Sequence, residues 1–154
     1  MREILVYPSR QELTLTDDES TQLTFPISTA LNGLGEEEGS YKTPRGKHRI
    51  AAKIGARQPF GSVFKGREPT GEIWKPETTS EHDLILTRIL WLEGLEPINS
   101  NTYQRYIYLH GTNHENSIGS PVSMGCIRLL NQDILTLFDL VEVGTTVTIF
   151  DGLR

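Results

Sequence analysis

The stretch Tyr103–Leu129, YQRYIYLHGTNHENSIGSPVSMGCIRL, decides the reading of this chain. Tyr106, Ile107, Tyr108 and Leu109 favour extended backbone and predict a strand that ends in His110-Gly111. A polar loop follows and returns to Gly125-Cys126-Ile127-Arg128, which holds the only cysteine in the protein. Fifteen residues lie between His110 and Cys126, so the two meet only if the chain folds back. Gly119, Ser120 and Pro121 suit that reversal. A loop of this length is usually functional or disordered, and an imidazole and a thiol at its two ends point to function.

The chemistry needs both groups. A free thiol has a pKa near 8.5 and is only a few per cent thiolate at neutral pH. A neighbouring imidazole takes its proton and later returns it to a leaving amine. A carbonyl or carboxylate on the other ring nitrogen must hold the imidazole in the right tautomer. Gly125 lets the backbone approach a substrate closely, and the amides of Gly125 and Cys126 are candidates to face a developing oxyanion.

His110-Gly111-Thr112, followed by Ser123-x-Gly125-Cys126-Ile127-Arg128, resembles the signature of the L,D-transpeptidase (YkuD-type) family. Thr43-Pro44-Arg45-Gly46 resembles that family's upstream Thr-Pro-x-Gly element, and the order of segments fits along nearly the whole chain. The resemblance implies a mainly β fold, an L,D-transpeptidase-type β-sandwich with one helix after the cysteine. It implies that Cys126 attacks the diaminopimelate–D-Ala bond of a peptidoglycan stem peptide. His110 would act as base and acid, and the Gly111 carbonyl would orient its ring. Many members carry His where this chain has Met124, and an aromatic where it has His48.

The chain has 154 residues, enough for one domain with a real core, and residues 1–154 read as a single catalytic domain. Hydrophobic residues make up 36% and charged residues 23%, as in a globular protein. The net charge of −5 and the lack of a dense basic cluster argue against a nucleic-acid partner. The partners expected are stem peptides or muropeptides. One cysteine forbids an intrachain disulfide, and no cofactor is called for. No run of residues approaches a membrane span. The start, Met1-Arg2-Glu3-Ile4-Leu5-Val6-Tyr7-Pro8, has no secretory apolar stretch. That predicts a cytoplasmic protein and water as the acceptor, an L,D-carboxypeptidase outcome. Cross-linking in the periplasm is the alternative.

Along the chain, Ile4–Tyr7 and Leu13–Leu15 flank Pro8-Ser9-Arg10 and predict a hairpin. After a turn at Asp17-Asp18-Glu19-Ser20, the alternation of Leu23, Phe25 and Ile27 predicts a strand with one buried face. Asn32–Ser40 is a Gly-rich acidic surface loop, in which Glu36-Glu37-Glu38 is a weak cation candidate. His48–Ile54 reads as a strand and Gln58–Thr70 as an ordered loop. Asp83–Leu92, DLILTRILWL, reads as a central strand with Arg88 on the face of Leu84, Leu86, Leu90 and Leu92. Ile134, Leu137, Phe138 and Val141 mark one face of a helix, with Asn131 as its cap. Thr146–Phe150 reads as the last strand.

Arg128, Ser123 and Arg88 are the candidate substrate-binding residues. The alternatives are a structural ion pair for Arg128, turn chemistry for Ser123 and an internal pair for Arg88. His110 and His114 have the i, i+4 spacing of zinc ligands, with Cys126 as a third, but Gly111-Thr112-Asn113 is poor helix sequence. No metal is therefore assigned. His114 reads as a residue of the site rim and His82 as a surface residue. Substituting His114 or His48 is expected to be mild. A binding module that kept the fold without catalysis is the remaining alternative.

Overall fold

Short apolar runs that alternate with polar residues bury one face of a strand at a time, and they build most of this chain. The computed structural model describes residues 1–18, 20–77, 80 and 82–152. Strands β1 (Arg2–Tyr7) and β2 (Glu12–Asp17) form the expected hairpin, antiparallel around a 3-10 turn at Pro8–Arg10. Strand β3 (Ser20–Ser28) pairs with β2 and buries Phe25 and Ile27, while Leu23 stays exposed. Of the turn before it, Glu19 lies outside the described residues. Strand β4 (Gly46–Ile54) follows the acidic loop as expected.

The segment read as an ordered loop holds a second hairpin, β5 (Ser62–Lys65) and β6 (Glu68–Ile73). Its two turn residues, Gly66 (φ 57) and Arg67 (φ 68), are both left-handed, as a type I′ connection requires. Strand β7 (Ile85–Gly94) is the central strand and pairs with β4, β5 and the next strand, β8 (Tyr108–Thr112). Strand β9 (Ile127–Leu129) lies parallel to β8, helix α1 spans Asn131–Leu140, and β10 (Thr146–Ile149) closes the chain.

Among the described residues the ten strands form one sheet, in the order β4-β10-β1-β2-β3-β9-β8-β7-β5-β6. Strand β4 also pairs with β7, so the sheet returns on itself and supplies both layers around one core. Ile4, Leu13, Ile27, Ile50, Leu92, Leu109, Ile127 and Val147 fill that core, with Ile134, Leu137 and Phe138 of α1. Only β5–β6 projects beyond the ring, attached to β7. Among the described residues no helix is long and apolar enough to cross a membrane.

A bulge interrupts β7. Thr87 has φ 74, and Leu86 stands opposite Gly111 while Ile89 stands opposite His110, so Thr87 and Arg88 are two extra residues on β7. Two extra residues leave the alternation in phase. Ile85, Ile89 and Trp91 pack together, while Leu90 and Leu92 enter the main core and Leu84 and Leu86 pack with Val63 and Trp74. Arg88 belongs to the bulge itself, and its guanidinium lies over the Phe138 ring of the main core.

Candidate active site

Parallel pairing of β8 with β9 brings the two ends of the long loop together. Leu109 stands opposite Ile127 and His110 opposite Arg128, so Cys126 arrives just before the paired residues. Leu109 and Ile127 point into the main core. Alternation along β8 puts Tyr108 and His110 on the other face. Cys126 packs there, against a cluster of Phe64, Ile89, Trp91 and Tyr108.

His110 is buried, and its Nδ1 lies 2.6 Å from the Gly111 carbonyl. A carbonyl oxygen only accepts, so Nδ1 carries the proton and Nε2 is left with a lone pair. Burial pushes the imidazole below its ordinary pKa, against the opposing pull of the Gly111 carbonyl. The resting ring is neutral and able to accept a proton.

The half-buried Cys126 thiol donates to Tyr106 O and accepts from Tyr108 N–H, each at 3.4 Å. Burial raises its pKa to about 11, and the Tyr108 N–H offsets part of that rise. Thiol and imidazole therefore rest as a neutral pair. A base is needed to generate the thiolate.

The loop before the cysteine is held from two sides. Ser123 Oγ donates to Cys126 O at 2.6 Å and accepts from Gly125 N–H at 3.2 Å. Thr43 Oγ1 donates to Gly125 O at 2.9 Å and accepts from Ala30 N–H at 3.0 Å. Gly125 itself sits at φ +124, a conformation that favours glycine. Ser123 thus shapes the turn, and one of the two expected oxyanion amides, that of Gly125, rests on the Ser123 hydroxyl.

Gly111 is a glycine because nothing larger fits. An added Cβ would stand 2.2 Å from Asn131 Oδ1 and 2.8 Å from Leu86 O. Asn131 was expected to cap α1, but it is the first helical residue and its side chain serves β8 instead. Its Nδ2 donates to Thr112 O at 2.8 Å, and its Oδ1 accepts from Thr87 at 2.6 Å. The Glu115 carboxylate accepts the Asn131 N–H at 2.9 Å, at the positive end of the helix.

Arg128 and Arg88 are not open to solvent. Arg128 Nη2 donates to Asp83 Oδ2 at 2.6 Å, and the two side chains are 5% and 22% exposed. The ion-pair alternative is thus the one formed at rest. Arg88 is brought to neither Cys126 nor His110. It lies over the Phe138 ring of α1, with Nη1 on the carbonyls of Gln58 and Thr87. That placement corrects its reading as a substrate-binding residue. His114 Nε2 faces the Ser80 carbonyl at 3.1 Å from a 3-10 turn, not from a helix shared with His110. Glu36 is held by Arg45 through three hydrogen bonds, two from the guanidinium at 2.8 and 3.0 Å and one from the backbone N–H at 3.0 Å.

Two features were missed in the sequence. One is a cavity of about 300 Å³ bordered by Tyr41, Arg105, Met124 and Tyr106, the residue whose carbonyl holds the thiol. The exposed Met124 and Tyr106 were the available signal, being large apolar residues next to the reacting groups. The other is Arg67, at the tip of the β5–β6 hairpin, whose side chain reaches Tyr108.

Residues 1–149 match the family model of the L,D-transpeptidase catalytic domain, YkuD. The probable L,D-transpeptidase YbiS of Escherichia coli is 51% identical over 126 residues, covering 72% of this chain and 41% of that protein. The putative L,D-transpeptidase YqjB of Bacillus subtilis is 50% identical over 46 residues, covering 30% of this chain and 26% of that protein. The chain thus spans less than half the length of these curated relatives. A crystal structure of an L,D-transpeptidase from Xylanimonas cellulosilytica shares the fold. Its TM-score is 0.61 at 18% identity, over 97% of this chain and 60% of that one. The match across residues 1–149 means that the chain belongs to the L,D-transpeptidase catalytic domain (YkuD) family.

Proposed function

We propose that the protein is a cysteine-dependent acyl transferase acting on peptidoglycan stem peptides at the diaminopimelate–D-Ala bond. One observation carries this reading. The Nδ1 contact with Gly111 O at 2.6 Å leaves Nε2 as a base on the face of the sheet that holds the Cys126 thiol.

The steps follow from these groups. Nε2 of His110 takes the Sγ proton as the sulfur attacks the diaminopimelate carbonyl carbon. The thiol gives up its hydrogen bond to Tyr106 O in that step. Negative charge collects on the carbonyl oxygen, where the amide of Cys126 is the proposed donor, joined by that of Gly125 once it leaves the Ser123 hydroxyl. Collapse breaks the C–N bond, the D-Ala nitrogen takes the proton from His110, and a thioester remains on Cys126. A second nucleophile then gives its proton to Nε2, attacks the thioester and releases the thiol. An amine in that role gives the transpeptidation named for the relatives, and water gives the tripeptide expected from the sequence.

Mass spectrometry of a disaccharide-tetrapeptide incubated with the protein tests the proposal. Loss of D-Ala together with tripeptide or cross-linked product is expected. An unchanged tetrapeptide at high enzyme concentration contradicts it.

A further inference from the structure

Around the cysteine, most cationic side chains are already committed. Arg128 is paired with Asp83, and Arg105 donates to the carbonyls of Gly35 and Lys42. Arg67 is different. Its guanidinium has five N–H donors, and among the described residues it forms a single hydrogen bond, from Nη1 to Tyr108 Oη at 3.2 Å. Among the described residues no carboxylate pairs with it, and the groups that act on its charge are Tyr108, Tyr106 and Tyr103.

Aromatic rings hold this guanidinium without using its donors. It lies 5.0 Å from the centre of the Trp91 ring and 4.9 Å from that of Tyr106. The platform is itself fixed. Trp91 stacks on Tyr103 at 4.0 Å and donates Nε1 to the Tyr103 carbonyl at 3.1 Å. Arg67 stands in the left-handed region at φ 68, which asparagine or glycine enters more easily, and the turn projects it over these rings.

The two tyrosines that contact Arg67 are also the two that hold the thiol. Tyr106 O accepts from Cys126 Sγ and Tyr108 N–H donates to it, each at 3.4 Å. The guanidinium is therefore separated from the sulfur by the span of Tyr108 with a hydrogen bond at each end. A ligand acylated on Cys126 reaches its free edge with a group several bonds along a side chain, farther than the carboxylate beside the scissile amide.

We propose that Arg67 binds a carboxylate carried at the far end of the acyl donor's side chain. Resting on the stem-peptide reading, this assigns to Arg67 the side-chain carboxylate of diaminopimelate. A planar guanidinium fixed by stacking is preorganised for a bidentate carboxylate, and an ammonium on a flexible stem is not. Recognition is then split between the hairpin tip, which reads the side-chain charge, and the cysteine loop, which does the chemistry.

The first test does not depend on the peptide. Cys126 is alkylated with bromoacetyl-γ-aminobutyrate and, separately, with its neutral amide, and the ratio of the two rates is taken. The ratio is expected to fall about tenfold in Arg67→Ala and in Arg67→Asn, and less in Arg67→Lys. The asparagine variant keeps a residue suited to the left-handed turn, so a shared loss is not a folding effect. An equal ratio in wild type and Arg67→Asn overturns the proposal.

The second test uses tetrapeptides whose diaminopimelate side chain ends in a free carboxylate or in an amide. Arg67→Asn is expected to raise KM about tenfold for the first and clearly less for the second, with the loss falling on KM more than on kcat. An equal KM rise for both peptides makes Arg67 a support for the hairpin and overturns the proposal. A charge-dependent alkylation ratio with neither peptide turned over supports the carboxylate site and removes the stem-peptide reading alone.

Discussion

The hydroxyl of Thr43 donates to the carbonyl of Gly125 at 2.9 Å, tying the chain's Thr-Pro-x-Gly turn to the loop that presents Cys126. The same hydroxyl accepts from Ala30 N–H at 3.0 Å, so one buried oxygen satisfies a donor and an acceptor on two other segments. Thr43→Val keeps the shape and removes both bonds. Leaving buried polar groups unpaired costs about 1–3 kcal/mol. Thr43→Val is therefore expected to lower the denaturation midpoint and kcat together, and Thr43→Ser to restore most of both. Thermal denaturation alongside steady-state kinetics checks this.

The resting state of the catalytic pair sets a pH profile. Burial holds His110 below the ordinary imidazole value of 6.5 and pushes Cys126 up to about 11. A lowered imidazole pKa means that the proton-accepting form persists as pH falls. The acid limb of kcat/KM is expected below pH 6.5, where an unperturbed histidine would already be protonated. In His110→Ala, alkylation of Cys126 should be slow at neutral pH and climb steeply only toward the raised thiol pKa. Rate–pH profiles of both proteins decide the point, and an acid limb at or above pH 6.5 counts against the neutral pair.

The ion pair between Arg128 and Asp83 changes what substitution there should do. Both side chains are largely withdrawn from water, and their contact is 2.6 Å. Removing one partner leaves a buried charge uncompensated, at about 3 kcal/mol. Arg128→Ala and Asp83→Ala are each expected to destabilise by that order, and the double variant by clearly less than the sum. Urea denaturation of the three proteins measures the coupling. Independent, additive losses would free Arg128 for the substrate role expected of it in the sequence.

His48 is wholly buried between the Gly46 carbonyl and the Thr102 hydroxyl, each at 3.0 Å. Burial lowers its pKa to about 4 from 6.5. The unfolded chain takes up a proton through 6.5 that folded His48 refuses. The stability contributed by neutral His48 is therefore complete above pH 6.5 and is lost as pH falls toward about 4, on the order of 3 kcal/mol in all. His48→Phe, which cannot titrate, should flatten this part of the stability curve. His48→Ala should destabilise through its cavity at every pH. Denaturant midpoints at a series of pH values give the comparison.

Strands whose faces alternate cleanly were legible in the sequence, as were the helix face of Ile134, Leu137 and Phe138 and the return from His110 to Cys126. The β5–β6 hairpin was not, because Gly66-Arg67 lacks the Asn-Gly or Asp-Gly signal and Pro69 argues against a strand. With the hairpin went Arg67 and its contacts. The bulge at Thr87 and Arg88 was not legible either, because nothing in Leu86-Thr87-Arg88 announces one. Asn131 stood where caps stand, and its bond to Thr112 across the fold has no local trace. Periodicity reports which face a residue takes. It does not report which distant backbone group a polar side chain will find.

The central claim is that Cys126 carries the acyl group. The most direct measurement is intact-protein mass spectrometry of wild type, Cys126→Ala and His110→Ala after mixing with the disaccharide-tetrapeptide, followed by peptide mapping. Wild type should gain the mass of the acyl group, mapped to Cys126, and release D-Ala. Cys126→Ala should show neither, and His110→Ala should form the adduct about 10²–10⁴-fold more slowly. D-Ala release by Cys126→Ala, or an adduct on any other residue, would contradict the account.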